Sequence, residues 1–153
     1  MARWISAELR QTIADRANQL CEYCLIAEAD TFYGCEVDHI ISLKHGGSSN
    51  PGNLAYACAL CNRAKGSDVG SISSAGEFTR FFNPRTDRWA EHFLLEGAAI
   101  RYLTTIGEVT TRIFGFNEST RLHEREEMTR FGIYPSKAAS SRIRRTSSLS
   151  CES

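Results

Sequence analysis

Two pairs of cysteines, Cys21 with Cys24 and Cys58 with Cys61, carry the C-x-x-C spacing. That spacing lets both sulfurs of one turn reach a single tetrahedral ion, so the two pairs complete a four-cysteine set suited to a structural zinc closed to solvent. Redox C-x-x-C motifs and unrelated core cysteines are the competing readings, disfavoured where thiols stay reduced and clustered. Cys35 and Cys151 are left over as free thiols. Between the pairs lie 33 residues, more than the roughly 15–20 of a simple zinc ribbon, so something else is folded there. Within that insertion Asp38 and His39 stand side by side among the β-branched residues Val37, Ile40 and Ile41. Carboxylate and imidazole are two of the commonest metal and acid–base side chains. The pair is either a satisfied core interaction or a site.

These residues need elements to hold them. Ser6 is a good N-cap, and Leu9, Ile13, Ala17 and Leu20 follow at helical spacing, which predicts an amphipathic helix over 7–20 leading into Cys21. Residues 32–42 and 54–58 read as short strands, separated by a Gly/Asn/Pro-rich loop. A helix is expected from Ala59 to about Lys65, stopped by Gly66. Beyond a Gly/Ser-rich joint, the stretch 77–93 is aromatic and basic. Two strands, 99–104 and 108–116, are expected to turn at Ile106 and Gly107, and Asn117 to cap a last helix through about Phe131. The fold class is therefore α+β: a core over 1–70 that holds the cysteine set, an appended aromatic segment with a β-hairpin and helix over 71–135, and a disordered basic Ser-rich tail over 136–153.

With 153 residues the chain has room for one core or a core plus an appendage. Eighteen basic residues balance eighteen acidic ones, which argues against coating nucleic acid by charge alone. The distribution is uneven, however: from His39 to Ser67 there are Lys44, Arg63 and Lys65 and no acid, leaving room for a local basic patch. No apolar run reaches the roughly 18 residues of a membrane span, and the start lacks the apolar stretch of a signal peptide, so a cytoplasmic location is expected.

Taken in order, C21-x-x-C24, V37-D-H-I40, G46-G47, N53-L54 and C58-x-x-C61-N62-x-x-K65-G66 resemble the HNH endonuclease family. The resemblance covers residues 21–66 and implies that the 1–70 unit is a zinc-braced ββα-metal nuclease core that hydrolyses DNA phosphodiesters and leaves 5′-phosphate. It further implies Asp38 and Asn62 as ligands of one catalytic divalent ion, with Asn53 bonding the loop backbone to orient the base. Hard oxygen ligands favour Mg²⁺ or Mn²⁺ over a second zinc. Such hydrolysis needs an activated water, and an imidazole titrating near neutrality suits that task, which assigns His39 as general base. Asp38 and His39 alternate along a regular strand, so bringing both to one site requires a break in it. Lys65 as a point charge and Arg63 as a fork are candidates for phosphate; helix-end cations complementing the dipole is the competing reading. His45 is read as exposed, His92 as packing among aromatics, and Arg85 and Arg88 as a solvated pair or a DNA-facing edge. The alternative function is a non-catalytic zinc-knuckle module that binds nucleic acid, and a third is a protein-interaction domain on the same scaffold. Neither oligomeric state nor DNA preference is encoded in any recognisable motif.

Overall fold

A computed structural model describes residues 5–144. Helix α1, Ala7–Arg16, starts where Ser6 accepts the Leu9 N–H at 3.0 Å and buries Ile13 and Ala14. It ends four residues before the periodicity predicts. Asn18 and Gln19 adopt left-handed φ values of 57° and 55°, which stop the helix and turn Leu20 into the first cysteine pair.

Strands β1, Cys35–His39, and β2, Leu54–Cys58, form an antiparallel ladder running from Cys35 opposite Cys58 to His39 opposite Leu54. Every residue of β2 is buried, whereas β1 is buried only at Cys35 and Asp38. Helix α2, Ala59–Lys65, follows β2 without a loop: Cys58 serves as N-cap, its sulfur accepting the Cys61 N–H.

The remainder is a mixed α+β assembly. Short strands β3, Gly70–Ile72, and β4, Phe78–Arg80, pair antiparallel, as do β5, Phe93–Glu96, and β6, Ala99–Tyr102. A single helical turn, α3, Trp89–His92, precedes β5. The expected strand over 108–116 is instead part of helix α4, Thr105–Phe114. Thr104 caps it by accepting the Gly107 N–H at 3.0 Å, and Val109, Thr110 and Phe114 are buried on one face. The β-branched residues that suggest a strand are overridden by that cap and by packing. Gly107 is needed in the helix because a Cβ there would lie 2.3 Å from the His92 carbonyl oxygen. The true partner of β6 is β5, turning through Gly97 at φ 63°.

Helix α5, Ser119–Arg130, matches the expected last helix closely, but Asn117 does not cap it. Its amide instead bonds both the N–H and the C=O of Ile100, at 2.9 and 2.7 Å. A further helix, α6, Lys137–Ile143, occupies the start of the segment expected to lack structure: Ser136 caps it and Ala139 is buried. The rest of that expectation, 145–153 with Cys151, lies outside the described residues. One hydrophobic cluster runs from α1 and the cysteine pairs through Phe81, Phe93, Phe114 and Phe116 to α6. Among the described residues no helix is long and apolar enough to cross a membrane.

Candidate metal centre and the His39 site

The sulfurs of Cys21, Cys24, Cys58 and Cys61 all lie within 4.8 Å of one another and all four residues are buried. Each pair is folded by the same local bond, N–H of the second cysteine to sulfur of the first: 3.4 Å for Cys24 to Cys21 and 3.5 Å for Cys61 to Cys58. The first turn is closed further by Leu25 N–H to Cys21 O at 2.9 Å. Four convergent thiols in one buried pocket fit zinc, and the cluster is consistent with a zinc brace. Cys35 pairs across the ladder with Cys58 but stays outside the set; burial pushes its thiol up.

At the other end of the ladder the strand stays regular through His39, and the break that shared placement of Asp38 and His39 requires is not found. Asp38 points toward α2 and is only 4% exposed. Its Oδ2 accepts the Tyr23 hydroxyl at 2.8 Å and its Oδ1 the Lys65 ammonium at 3.2 Å. Burial raises the Asp38 carboxyl, and Lys65 and Tyr23 oppose it. Lys65, expected beside phosphate, is 2% exposed and also donates to the His39 carbonyl at 2.9 Å. Its charge is committed inside the protein. His39 is half-buried, with Nε2 3.0 Å from Ser49 Oγ in the loop.

Asn53 ties that loop shut with three side-chain bonds: it accepts the Ile41 N–H at 2.9 Å and donates to Ile41 O at 2.9 Å and Ser48 O at 2.8 Å. Gly47 makes the closure sterically possible, since a Cβ there would lie 1.7 Å from Ile41 O. Asn62, in the first turn of α2, donates to Glu36 Oε1 at 3.3 Å. Glu36 and Asp38 share the face of β1 that meets α2, where Asn62 bonds Glu36 and Lys65 bonds Asp38. Asp38 and Asn62 do not touch each other directly. Arg63 and His45 are exposed.

His92 bonds Thr104 at 2.6 Å and packs edgewise on Phe82. Arg85 is neither solvated nor on an open edge. It pairs with Glu22 and donates to the Leu54 carbonyl at 3.1 Å, where Arg16 also donates at 2.6 Å. Several participants are not legible in the sequence. Glu22 and Tyr23 sit inside the first C-x-x-C, where a charged and an aromatic residue between two ligands is a weak signal. Arg121 lies 60 positions from Cys61 and gives none.

Residues 21–68 match the family model described as HNH endonuclease, and over this segment the chain is similar to that family of nucleases, which use a divalent metal. No curated protein and no solved structure gives a significant match to the chain.

Proposed function

We propose that this protein is a metal-dependent endonuclease that hydrolyses DNA phosphodiesters, with His39 as general base. The observation that carries the reading is the loop built around His39: a half-buried imidazole beside Ser49, in a loop locked by Asn53 and permitted only by glycine at position 47. His39 accepts a proton from a water, which attacks phosphorus; the bond to the 3′-oxygen breaks, that oxygen takes a proton from solvent water, and a 5′-phosphate and 3′-hydroxyl result. Asp38 and Asn62 would hold Mg²⁺ or Mn²⁺, which supplies charge neutralisation at the phosphoryl and leaving oxygens. Asp38 bonds Tyr23 through one oxygen and Lys65 through the other, so a metal there would share the carboxylate with those partners. Asn53 orients the base and Arg63 is the exposed candidate for phosphate, while Lys65 sets the Asp38 carboxylate.

The test is nicking of supercoiled plasmid by the zinc-loaded protein with Mg²⁺, Mn²⁺ or excess chelator, beside His39→Ala. A general base contributes about 10²–10⁴-fold, so the variant should lose that much rate while its melting temperature and zinc content stay unchanged. Equal nicking by the variant would sink the assignment of the base. A non-catalytic nucleic-acid-binding module is the second reading, and the burial of Asp38 in an ion pair with Lys65 favours it. It predicts no nicking with either metal, and DNA affinity that falls steeply with salt and is indifferent to Asn62→Ala.

A further inference from the structure

The four thiols share their pocket with a buried cation that comes from far along the chain. Arg121, near the start of α5 and 8% exposed, donates from Nη2 to Cys61 Sγ at 3.1 Å. Its Nη1 is held by the Phe114 carbonyl at 2.6 Å, and its guanidinium lies 5.9 Å from the centre of the Phe116 ring. The fork is thus aimed, and its rotamer fixed, by the end of α4. Two further donors close on the first cysteine pair: Trp89 Nε1 gives its proton to Tyr23 O at 2.8 Å, and the Tyr134 hydroxyl gives its own to Cys24 O at 2.9 Å. All three donors lie outside residues 21–68, the part of the chain that carries the family match.

The charge of the centre explains why a donor of this kind belongs there. Zinc with four thiolates carries a net charge of minus two, and a buried net charge is costly unless an opposite charge or hydrogen bonds offset it. Arg121 brings a fixed positive charge that no attainable pH removes. We propose that residues 89–134 supply the outer shell of the zinc centre, and that Arg121 is a positioning residue: through Cys61 it fixes the first turn of α2, whose next residue is Asn62. The appended segment is then a working part of the metal site. The inference rests on the reading of the four cysteines as a zinc centre.

The experiment uses the full chain and compares wild type with Arg121→Met, Arg121→Lys and Tyr134→Phe. Outer-shell partners are worth about 10–100-fold in metal affinity. By the same principle Arg121→Met should surrender zinc to a competing chelator at about 10–100-fold lower chelator concentration, with Arg121→Lys in between because it restores charge without the fork. Replacing zinc by Co²⁺ adds a spectroscopic signature: loss of the bond to Cys61 leaves a more electron-rich thiolate and shifts the sulfur-to-cobalt charge-transfer band to lower energy in Arg121→Met. A packing role alone predicts no intermediate behaviour for lysine and no band shift. If Arg121→Met does not fold, Arg121→Lys and Tyr134→Phe decide, each expected to weaken zinc several-fold. Wild-type zinc retention in the variants that fold overturns the outer shell while leaving the zinc centre standing. A wild-type chain without one zinc overturns the cysteine reading and the inference with it; plasmid nicking is scored separately.

Discussion

The two ends of the β1–β2 ladder are close in space and chemically opposite. At the Cys35–Cys58 end, four soft sulfur donors converge in a closed, buried pocket. At the His39–Leu54 end, an imidazole, an ion pair and a carboxamide are held by hydrogen bonds among side chains and loop backbone. One end is built to be rigid whatever approaches it. The other holds buried and half-buried polar groups whose stability depends on each keeping its partner. A short sheet can carry a costly polar site at one end when the other is cross-linked by metal-ligating chemistry.

If the sulfur end supplies the rigidity, removing it should have the largest effect in the molecule. Structural zinc is worth on the order of 10 kcal/mol of folding free energy, comparable to the whole stability of a domain this size. Cys58→Ser should lose bound zinc and the cooperative thermal transition together, followed by metal analysis and circular dichroism. A variant that melts like wild type would remove the asymmetry between the two ends.

The open end should respond less, and through charge. In Lys65→Met the Asp38 carboxylate is left buried without its cation, which costs about 3–5 kcal/mol, read as a lower urea midpoint at an unchanged slope. A surface lysine serving only phosphate would change stability by no more than about 0.5 kcal/mol. Adding Asp38→Asn to Lys65→Met should recover most of the loss, since the unpaired charge is then gone.

How much of this is readable in the sequence follows the range of the forces involved. The cysteine set, the β1–β2–α2 order and the loop after His39 are specified by local spacing and glycine chemistry, and they stand where the spacing puts them. Helix α4 reads as a strand because its β-branched residues follow local propensity, while the Thr104 cap and the fit of Gly107 against His92 are tertiary facts. Helix α6 is hidden because its few apolar side chains give no periodic signal, although Ala139 is buried and Arg142 reaches Glu22 across 120 positions. At the site, residue types and the opposite facing of Asp38 and His39 along a regular strand are legible, but their partners are not: nothing in the motif says that Asp38 meets Lys65 and Tyr23 while His39 meets Ser49.

The smallest effect expected concerns the loop that carries Arg85 onto the open end. Asp87 accepts two bonds from Arg80, at 2.8 and 2.9 Å, and the Asn83 N–H at 2.8 Å, while the Asn83 side chain in turn accepts the Arg85 N–H at 2.8 Å. Burial works to raise the Asp87 carboxyl, but the Arg80 bonds and the Asn83 N–H outweigh it, so its pKa lies below the ordinary value of 3.8. A folded-state pKa depressed below the unfolded one gives stability that is fully present above the unfolded value and is lost as pH falls through the folded value. Arg80 is half exposed, so solvent screening limits the contribution to about 1 kcal/mol. Asp87→Asn should therefore be less stable than wild type by about that amount at pH 7, and the gap should close as pH falls below the aspartate range. Arg85 would lose part of its support, so amide exchange in the loop 83–87 should quicken in the variant while exchange at Cys58 and Cys61 stays as it was. Equal quickening at both places would show that the two ends of the ladder open together and that the rigidity of the sulfur end depends on the loops holding the other.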